Sequence, residues 1–401
     1  MTSERSGHPT IRLQAGRDGR VRMGHPWAYS NEIAMDAAAK ALPAGGLVNL
    51  VRVDGKPYGT GFFNPHSLIA WRRVADEPDA FVDAGFLAQR LERARGLRER
   101  LFKAPFYRLV HAEADGLPGL VIDRFGPVVV CQANAAGVEL IKPALGQALA
   151  QVLSPAAIVW RDDSHIRTLE GLPVIEAGVI ATGSVELPIE LEENGARFLA
   201  DPIAGQKTGW FFDQRDNRAF VAGLPQGARV IDFYCYTGGF AVQAARAGAA
   251  MVLGIDRSKP ALALAARAAE LNELGSRCRF EAGEAFAEME RRAAAGERYD
   301  IVIADPPAFV RSKRDLPTGL KGYRKMAALG AALVAPGGFL VLCSCSHSVT
   351  PEAFAEEIGR GLARAERTGR VLRSAGAAAD HPVHPLLPES AYLKVTVLQI
   401  D

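Results

Sequence analysis

Apolar runs alternate with stretches of helical period toward the carboxyl terminus, from Arg229 onward. Each run is short enough to form a buried strand, and several lead into a helical stretch, which is typical of a parallel sheet with crossover helices. The predicted strands are Val230–Asp232, Met251–Ile255, Cys278–Ala282, Tyr299–Ala304, Gly338–Cys343, Val371–Ser374 and Tyr392–Ile400. The pattern therefore predicts a doubly wound, Rossmann-like α/β sheet.

The amino-terminal part of the chain shows short strands separated by turns. The candidate strands are Ile11–Leu13, Leu47–Val53, Tyr58–Phe63 and Leu68–Arg73. Asp54–Gly55 is a hairpin signal between two of them. Many short strands in so short a segment favour a small β-barrel.

Between these regions the pattern is that of a compact α/β unit. We interpret Asp76–Asp83 as a linker, followed by an amphipathic helix over Phe81–Leu101. Strands are then expected at Tyr107–Glu113, Gly119–Phe125, Val128–Asn134 and Ile158–Asp162, with a helix at Val138–Leu153. We therefore predict three domains, at residues 1–76, 77–186 and 187–401.

Composition and charge narrow the class of protein. The 401 residues are 48% apolar and 23% charged, with a net charge of +2, which is normal for a globular protein and gives no strong field. The five cysteines form no CxxC pair, so neither a disulfide framework nor a metal site is expected. The first ten residues lack the apolar core of a signal peptide, and no run approaches the ~20 apolar residues of a membrane span. We therefore expect a cytoplasmic protein with no membrane partner.

The turn after the first strand of the sheet has the features of a cofactor site. Neither the dinucleotide fingerprint nor the phosphate-binding loop occurs in it. Instead an acid, Asp232, precedes the turn at Gly238–Gly239. An acid there suits a cationic ligand end, such as the amino group of S-adenosylmethionine (SAM). Asp256, at the end of the next strand, suits a ribose diol, and Glu284 follows the third strand. The alternative is an ordinary α/β domain that uses glycines to turn.

Two later strand ends carry candidate chemistry for a nucleobase. The fourth strand leads into DPPAF, in which Asp305 and two prolines form a rigid acidic corner and Phe309 could stack on a base. The fifth leads into Ser344–Cys345–Ser346. Because cytosine C5 is not nucleophilic by itself, its methylation needs a thiolate at C6, as Cys345 could provide, and an acid near N3, as Asp305 could provide. Cys343, still within the strand, is expected to be a core residue.

The barrel region contains aromatic residues beside arginines. Trp27 lies in HPWAYSNEI, and Arg72 and Arg73 end a later run that contains Trp71. Such side chains can stack on bases and hold phosphates, which predicts RNA contacts for Trp27, Arg72 and Arg73. The alternative is that they fill the core of a small barrel.

These motifs together resemble the RlmI-type family of class I SAM-dependent methyltransferases, which methylate cytosine C5 in large-subunit ribosomal RNA. The resemblance covers essentially the whole chain and rests on these strings: HPWAYSNEI, GTGFFNPHS, YRLVHAEADGLPGLVIDRF, QKTGWFFDQRDNR, DFYCYTGGF, DPPAF, GYRKM, CSCSHS and DHPVHP. It implies a PUA-like RNA-binding domain, a central α/β domain and a methyltransferase domain.

The resemblance also implies roles for individual residues. Cys345 would be the nucleophile, and Asp305 would lie at the base pocket. The implied SAM contacts are Gln206, Thr208, Phe211, Asp213, Asp232, Tyr236, Gly238, Asp256, Arg257, Glu284 and Asp305. Two positions depart from the family: Glu284 stands where Asp is common, and His347 stands where a small residue is usual. His347 would act as a base or crowd the pocket.

Two other functions stay open at this point. A methyltransferase acting on another RNA atom, such as a guanine nitrogen, needs no cysteine. An RNA-binding assembly factor without catalysis needs no cofactor. The target nucleotide and the formation of a homodimer are also left open.

Overall fold

The computed structural model describes residues 7–175, 177–224 and 226–401. Residues 1–6, on which part of our expectation about a signal peptide rests, lie outside the described residues. The chain divides into two compact units. The first comprises Met1–Leu187, Asp201–Trp210 and Asp380–Pro388, and the second comprises Pro188–Ala200, Phe211–Ala379 and Glu389–Asp401. No helix among the described residues is both long and apolar enough to span a membrane.

The first unit begins with a small, mostly antiparallel sheet. Its elements are β1 (Thr10–Arg12), α1 (Gly19–Arg22), β2 (Trp27–Ala28), α2 (Ala37–Lys40), β3 (Gly46–Val51), β4 (Pro57–Phe63) and β5 (Trp71–Ala75). The strand order is β1-β3-β4-β5-β2, and only the β1–β3 pairing is parallel among the described strands of this sheet. The buried side chains of Phe63 and Trp71 fill its core. The strand expected from Leu68 begins later, at Trp71, because Leu68 is exposed outside the sheet.

A second sheet with packed helices completes the first unit. Its elements are α3 (Ala84–Leu101), β6 (Phe106–His111), β7 (Leu120–Phe125), β8 (Val128–Ala133), α4 (Ala136–Leu153), β9 (Ala157–Trp160), α5 (Ile166–Leu169) and β10 (Val179–Gly183). The strand order is β10-β9-β8-β7-β6. The helix expected from Phe81 begins at Ala84, because the Asp83 carboxylate accepts the Phe86 amide hydrogen at 2.8 Å and caps it.

The second unit is a doubly wound sheet preceded by a hairpin. Its elements are β11 (Ile189–Glu193), β12 (Ala196–Ala200), α6 (Arg215–Ala222), β13 (Arg229–Phe233), α7 (Gly239–Arg246), β14 (Met251–Asp256), α8 (Lys259–Leu271), β15 (Cys278–Ala282), α9 (Ala285–Ala294), β16 (Tyr299–Ala304), α10 (Leu316–Leu333), β17 (Val334–Ser344), α11 (Pro351–Arg364), β18 (Gly369–Ala375) and β19 (Lys394–Ile400). The order in the described sheet is β15-β14-β13-β16-β17-β19-β18.

This strand order decides where the site lies. Strands β13 to β17 pair in parallel, and β19 runs antiparallel between β17 and β18. The order reverses between β13 and β16, so their carboxyl ends form the crevice in which such sheets bind ligands. The predicted Rossmann-like sheet is confirmed, whereas the β11–β12 hairpin and α9 were not predicted. The division into three domains stays a prediction.

Candidate active site

The turn that follows β13 holds two tyrosines in left-handed backbone conformations. Tyr234 and Tyr236 have φ values of +63° and +49°, and Gly238, just before α7, has +82°. Non-glycine residues in this region cost about 1–3 kcal/mol each, and they concentrate at ligand sites. The Tyr236 amide donates to Asp256 Oδ2 (3.0 Å), and the Ser258 amide donates to Asp256 Oδ1 (2.8 Å). Asp256 therefore fixes this turn against the end of β14.

Asp232, on β13, is a buried carboxylate whose oxygens lack side-chain partners. It is 1% exposed, and neither carboxylate oxygen has a hydrogen-bond partner of good geometry among the described residues. Burial raises the pKa of Asp232 well above its usual value and Asp305 raises it further, whereas the nearby Ala241 amide lowers it. The hydroxyl group of Thr237 is also buried without a partner among the described residues. Orphaned acceptors of this kind fit a ligand with a cationic, hydrogen-donating end, as the amino group of SAM is.

Three other predicted cofactor residues lie at the ends of β14 and β15. Asp256 is buried, Arg257 follows it in an exposed position, and Glu284 is exposed. Glu284 Oε2 accepts a hydrogen bond from the Ala287 amide at 2.8 Å, so this carboxylate caps α9. The cap holds the Glu284 side chain at the end of β15. Contacts between these side chains and a cofactor stay predictions.

Asp305 directly follows β16 and is held by two amide side chains. Gln214 Nε2 donates to Asp305 Oδ2 (2.9 Å), and Asn217 Nδ2 donates to Gln214 Oε1 (2.8 Å). Both amides are buried. Neither residue was predicted from the sequence, although both lie in the polar and aromatic segment GWFFDQRDNR, which was the available signal. The segment before β13 thus orients the acid at the end of β16.

Cys345 lies just past β17, beside the corner that begins at Asp305. Its thiol donates to the carbonyl oxygen of Pro306, with Sγ 3.9 Å from that atom. Cys345 is half-buried, whereas the other four cysteines are buried. Cys343 is confirmed as a core residue with no exposure, and burial raises the pKa of its thiol well above the usual value. Both thiols lie near Asp305, and Cys345 is the one that is not fully buried.

Two buried serines flank Cys345 and are held by one tyrosine. The hydroxyl of Tyr323, on α10, lies 2.8 Å from Ser344 Oγ and 2.8 Å from Ser346 Oγ. The Val310 amide donates to Ser346 Oγ at 3.1 Å. These bonds join the segment around Cys345 to α10 and to the loop after the acidic corner. The position of the thiol is therefore set by two elements of the fold.

Phe211, Asp213 and His347 also lie around the turn and the strand ends of the second unit. The ring of Phe211 meets that of Tyr236 edge-on, with centroids 5.4 Å apart. Asp213 Oδ2 accepts a hydrogen bond from the Tyr392 hydroxyl at 2.5 Å. His347 is exposed and stacks on the Tyr392 ring at 5.1 Å. The structure brings Phe211 to the turn after β13 and holds His347 against a residue next to β19.

Phe309, the aromatic of DPPAF, is half-buried among other rings. Its centroid lies 4.8 Å from that of Tyr323 and 5.8 Å from that of Phe286. These contacts give the ring a packing role next to the hydroxyl cluster. Stacking of a base on Phe309 stays a prediction.

Gln206 and Thr208 belong to the first unit, not to the second. Thr208 is buried, and its hydroxyl donates to Asp123 Oδ2 at 2.6 Å. Asp123 also pairs with Arg108, whose Nε lies 2.7 Å from Oδ1. Gln206 is exposed. Thr208 therefore has a structural partner, and the cofactor contacts implied for both residues stay predictions.

The residues predicted to contact RNA lie in the first unit, where Arg72 is part of a buried ion network. Its guanidinium lies 3.0 Å from Glu113 Oε1 and 3.0 Å from Glu170 Oε1, and Arg72 is 9% exposed. The Trp27 indole Nε1 donates to Glu113 at 2.7 Å. Arg73 donates to backbone carbonyls of the same unit. These bonds give Arg72 a structural role within the unit, and the RNA contacts of Trp27, Arg72 and Arg73 stay predictions.

Three features together are those of the class of SAM-dependent methyltransferases. They are the crevice between the carboxyl ends of β13 and β16, the buried carboxylate of Asp232, and the turn after β13 that contains Tyr234 and Tyr236. The family model described as S-adenosylmethionine-dependent methyltransferase matches residues 160–375. A second model, described as a PUA-like domain, matches residues 11–75. The cofactor of this protein is accordingly SAM.

The chain belongs to the SAM-dependent methyltransferase family that includes curated proteins named ribosomal RNA large subunit methyltransferase I. The relative from Shewanella denitrificans is 34% identical over 394 residues, which cover 97% of this chain and 99% of the relative. The relative from Aeromonas hydrophila is 36% identical over 396 residues, with 97% and 99% covered. A candidate SAM-dependent methyltransferase from Streptococcus mutans shares the fold, with a TM-score of 0.82 at 20% identity over 98% of this chain and all of that one.

Proposed function

We propose that this protein methylates large-subunit ribosomal RNA and that its product is 5-methylcytosine. The names of relatives that align along nearly the whole chain support the class of RNA. The position of Cys345 next to the corner that begins at Asp305 is the observation that carries the choice of cytosine C5. Methyl transfer to a guanine nitrogen needs no thiol at all.

In the proposed reaction, Cys345 makes C5 nucleophilic by a temporary covalent bond. The sulfur of the thiolate bonds to C6 of the pyrimidine, and the electron pair of the C5–C6 double bond moves to C5. After C5 has gained its methyl group, a base removes the C5 proton. The C5–H electron pair restores the double bond, and the sulfur leaves C6 with the pair of the S–C bond.

The cofactor would lie across the carboxyl ends of β13, β14 and β15. When bound, SAM supplies an electrophilic methyl group. Asp232 would accept hydrogen bonds from its amino group, Asp256 from the ribose hydroxyls and Glu284 from the adenine amino group. Tyr236 and Gly238 shape the turn that the cofactor approaches. The remaining residues for which we propose cofactor contacts are Gln206, Thr208, Phe211, Asp213, Arg257 and Asp305.

Asp305 would act on the pyrimidine ring itself. A carboxyl group near N3 can hydrogen-bond or protonate the ring as negative charge builds up during addition of sulfur to C6. The bond from Gln214 holds one carboxylate oxygen and so limits rotation of this side chain. We propose that Gln214 positions Asp305 and that Phe309 stacks on the base.

The RNA backbone would be held by exposed cations beside the corner. Arg311, Lys313 and Arg314 follow DPPAF, are exposed, and form no ion pair with any described residue. Arginine and lysine side chains with no competing carboxylate are well suited to phosphate groups. Trp27, Arg72 and Arg73 are the proposed contacts in the PUA-like domain. An enzyme with this substrate works in the cytoplasm, and homodimerisation stays open.

Transfer of a labelled methyl group from SAM to ribosomal RNA, followed by nucleoside analysis, tests the proposal. We expect label in 5-methylcytidine with the unaltered protein and at least a ~10³-fold lower rate with Cys345→Ala, since removal of a covalent catalyst abolishes its pathway. The buried Cys278→Ala is the matched control and should retain turnover. Label in a guanine nucleoside, or full turnover by Cys345→Ala, would contradict the proposal.

A further inference from the structure

Lys394, the first residue of β19, is a buried lysine without a carboxylate partner. It is 6% exposed and forms no ion pair with any described carboxylate. Its Nζ donates to the carbonyl oxygen of Ser346 at 2.6 Å and to that of Tyr392 at 2.8 Å. An ammonium group has three N–H donors, so one remains after these two bonds. A buried cation with no counter-charge is costly, which suggests that an anion belongs beside it.

The ammonium lies against the segment Ser344–Ser346, which carries the thiol of Cys345. The register between β17 and β19 places Lys394 opposite Ser344, and the carbonyl that Nζ binds belongs to Ser346. Lys394 is therefore joined to this segment on either side of Cys345, by strand pairing of its backbone at Ser344 and by its Nζ at Ser346. Burial lowers the pKa of Lys394 to about 8, and Cys345 acts in the opposite direction, so the two groups interact through space. At pH 7 the lysine still holds its proton.

We propose that Lys394 is the counter-charge that holds Cys345 as a thiolate. This inference rests on the proposed function, because it assigns a second residue to the nucleophile of that reaction. Lys394 keeps its proton throughout. Its positive charge stabilises the sulfur anion before the S–C6 bond forms and again when the electron pair returns to sulfur as C6 is released. Lys394 is thus a positioning residue that acts through Cys345.

The other titratable groups around the thiol do not supply this charge. Burial raises the pKa of the Tyr323 phenol and of the Cys343 thiol, so both are neutral at pH 7. Asp305, at the corner next to the thiol, would oppose a second negative charge. His347 lies beyond the segment and stacks on a ring. Within the described residues, a cation from β19 is therefore what makes a thiolate at this position favourable.

The pH dependence of alkylation of Cys345 by iodoacetamide tests this assignment without methyl transfer. The rate is followed by mass spectrometry of the peptide that contains Cys345, with Cys345→Ala as the blank. For the unaltered protein we expect an inflection at least about one pH unit below the ~8.5 of an ordinary thiol. Lys394→Met should raise the inflection by about one unit, which lowers the rate at pH 7 about tenfold, and Lys394→Arg should restore it. The exposed Lys325→Met is the matched control and should change nothing.

Two results would overturn the inference. One is an inflection at or above ~8.5 in the unaltered protein. This measurement needs no variant, so it tests the inference even if Lys394→Met does not fold. The other is an unchanged inflection in a Lys394→Met protein that still unfolds cooperatively. Failure of the proposed function looks different: Cys345→Ala would then keep its methyl transfer while the shift caused by Lys394 persists.

Discussion

Asp232 is held away from water by the fold, and its raised pKa links stability to pH. The folded protein keeps a proton on Asp232 that the unfolded chain releases at about pH 4. The contribution of this protonated carboxyl group to the free energy of unfolding is therefore complete below about pH 4, and it is lost as the pH rises through the pKa of Asp232 in the folded protein. We predict that Asp232→Asn is more stable than the unaltered protein at pH 8, by a margin that shrinks toward pH 4.

Thermal unfolding of both proteins over this pH range measures the margin. Glu92→Gln, which removes an exposed carboxylate from α3, is the control and should show no such trend. A margin for Asp232→Asn that does not change with pH would mean that the carboxylate is not the group responsible.

Tyr323 is the residue on which the position of Cys345 depends most. Tyr323→Phe removes the hydroxyl that bonds Ser344 and Ser346, and each lost buried bond costs about 1–2 kcal/mol. We predict that kcat for methyl transfer falls about tenfold while KM for RNA is unchanged, because only the reacting geometry is loosened.

The matched control is Tyr299→Phe. Tyr299 is a similarly buried tyrosine whose hydroxyl donates to Glu297, away from the site. Its loss should lower the unfolding temperature without changing kcat. Equal losses of kcat in both variants would show that Tyr323 acts through general stability alone.

At the scale of elements, the turn between β13 and α7 is the part of the fold that the cofactor depends on. Gly238 has a φ of +82°, and a Cβ there would lie 3.1 Å from the Cβ of Ala265. Gly337 has a similar φ of +79°, and a Cβ added there would meet nothing within 4 Å among the described residues. Both alanine variants should lose about 1–2 kcal/mol of stability through the left-handed conformation.

Only Gly238→Ala should also weaken SAM binding, by about tenfold, because it shifts the turn itself. Calorimetric titration with SAM measures the difference between the two variants. Equal SAM affinity in the two variants would show that the turn after β13 takes no part in cofactor binding.

The parallel strands were readable from the sequence because both of their faces are buried, which makes them continuous apolar runs. Strand β16, buried at five of its six positions, has the predicted bounds, Tyr299–Ala304. The edge strand β15 is largely exposed, and its predicted bounds, Cys278–Ala282, are nevertheless also those observed. In β11 the apolar–charged alternation of a half-buried strand covers only Ile189 to Glu192, and the next inward position is the buried Glu193, so the signal is too short to read.

Contacts between strands that lie far apart in the sequence could not be predicted. The position of Lys394 beside Cys345 follows from the antiparallel register of β17 and β19, which no local pattern encodes. A lysine at the start of a strand normally points to water. Arg72 shows the same limit in reverse, since its burial depends on carboxylates from Glu113 and Glu170, far along the chain.

At the scale of the whole molecule, methylation of ribosomal RNA needs an RNA-binding surface on the catalytic unit. Replacement of Arg311, Lys313 and Arg314 by alanine should weaken RNA binding and lower the slope of log K against log salt by about 2, since each phosphate contact contributes about 0.7–0.9. SAM affinity should be unchanged. Binding measured by filter retention or anisotropy over a range of salt provides the slope. An unchanged slope would place the phosphate contacts elsewhere.

The central claim is that the sulfur of Cys345 bonds to C6 of a cytosine. RNA that contains 5-fluorocytidine tests it directly, because fluorine at C5 cannot leave as a proton does and the S–C6 bond then cannot be resolved. With SAM present, we predict a protein–RNA complex that survives denaturing electrophoresis, and no such complex with Cys345→Ala. Methylation of ordinary RNA in the same preparation without any trapped complex would contradict the claim.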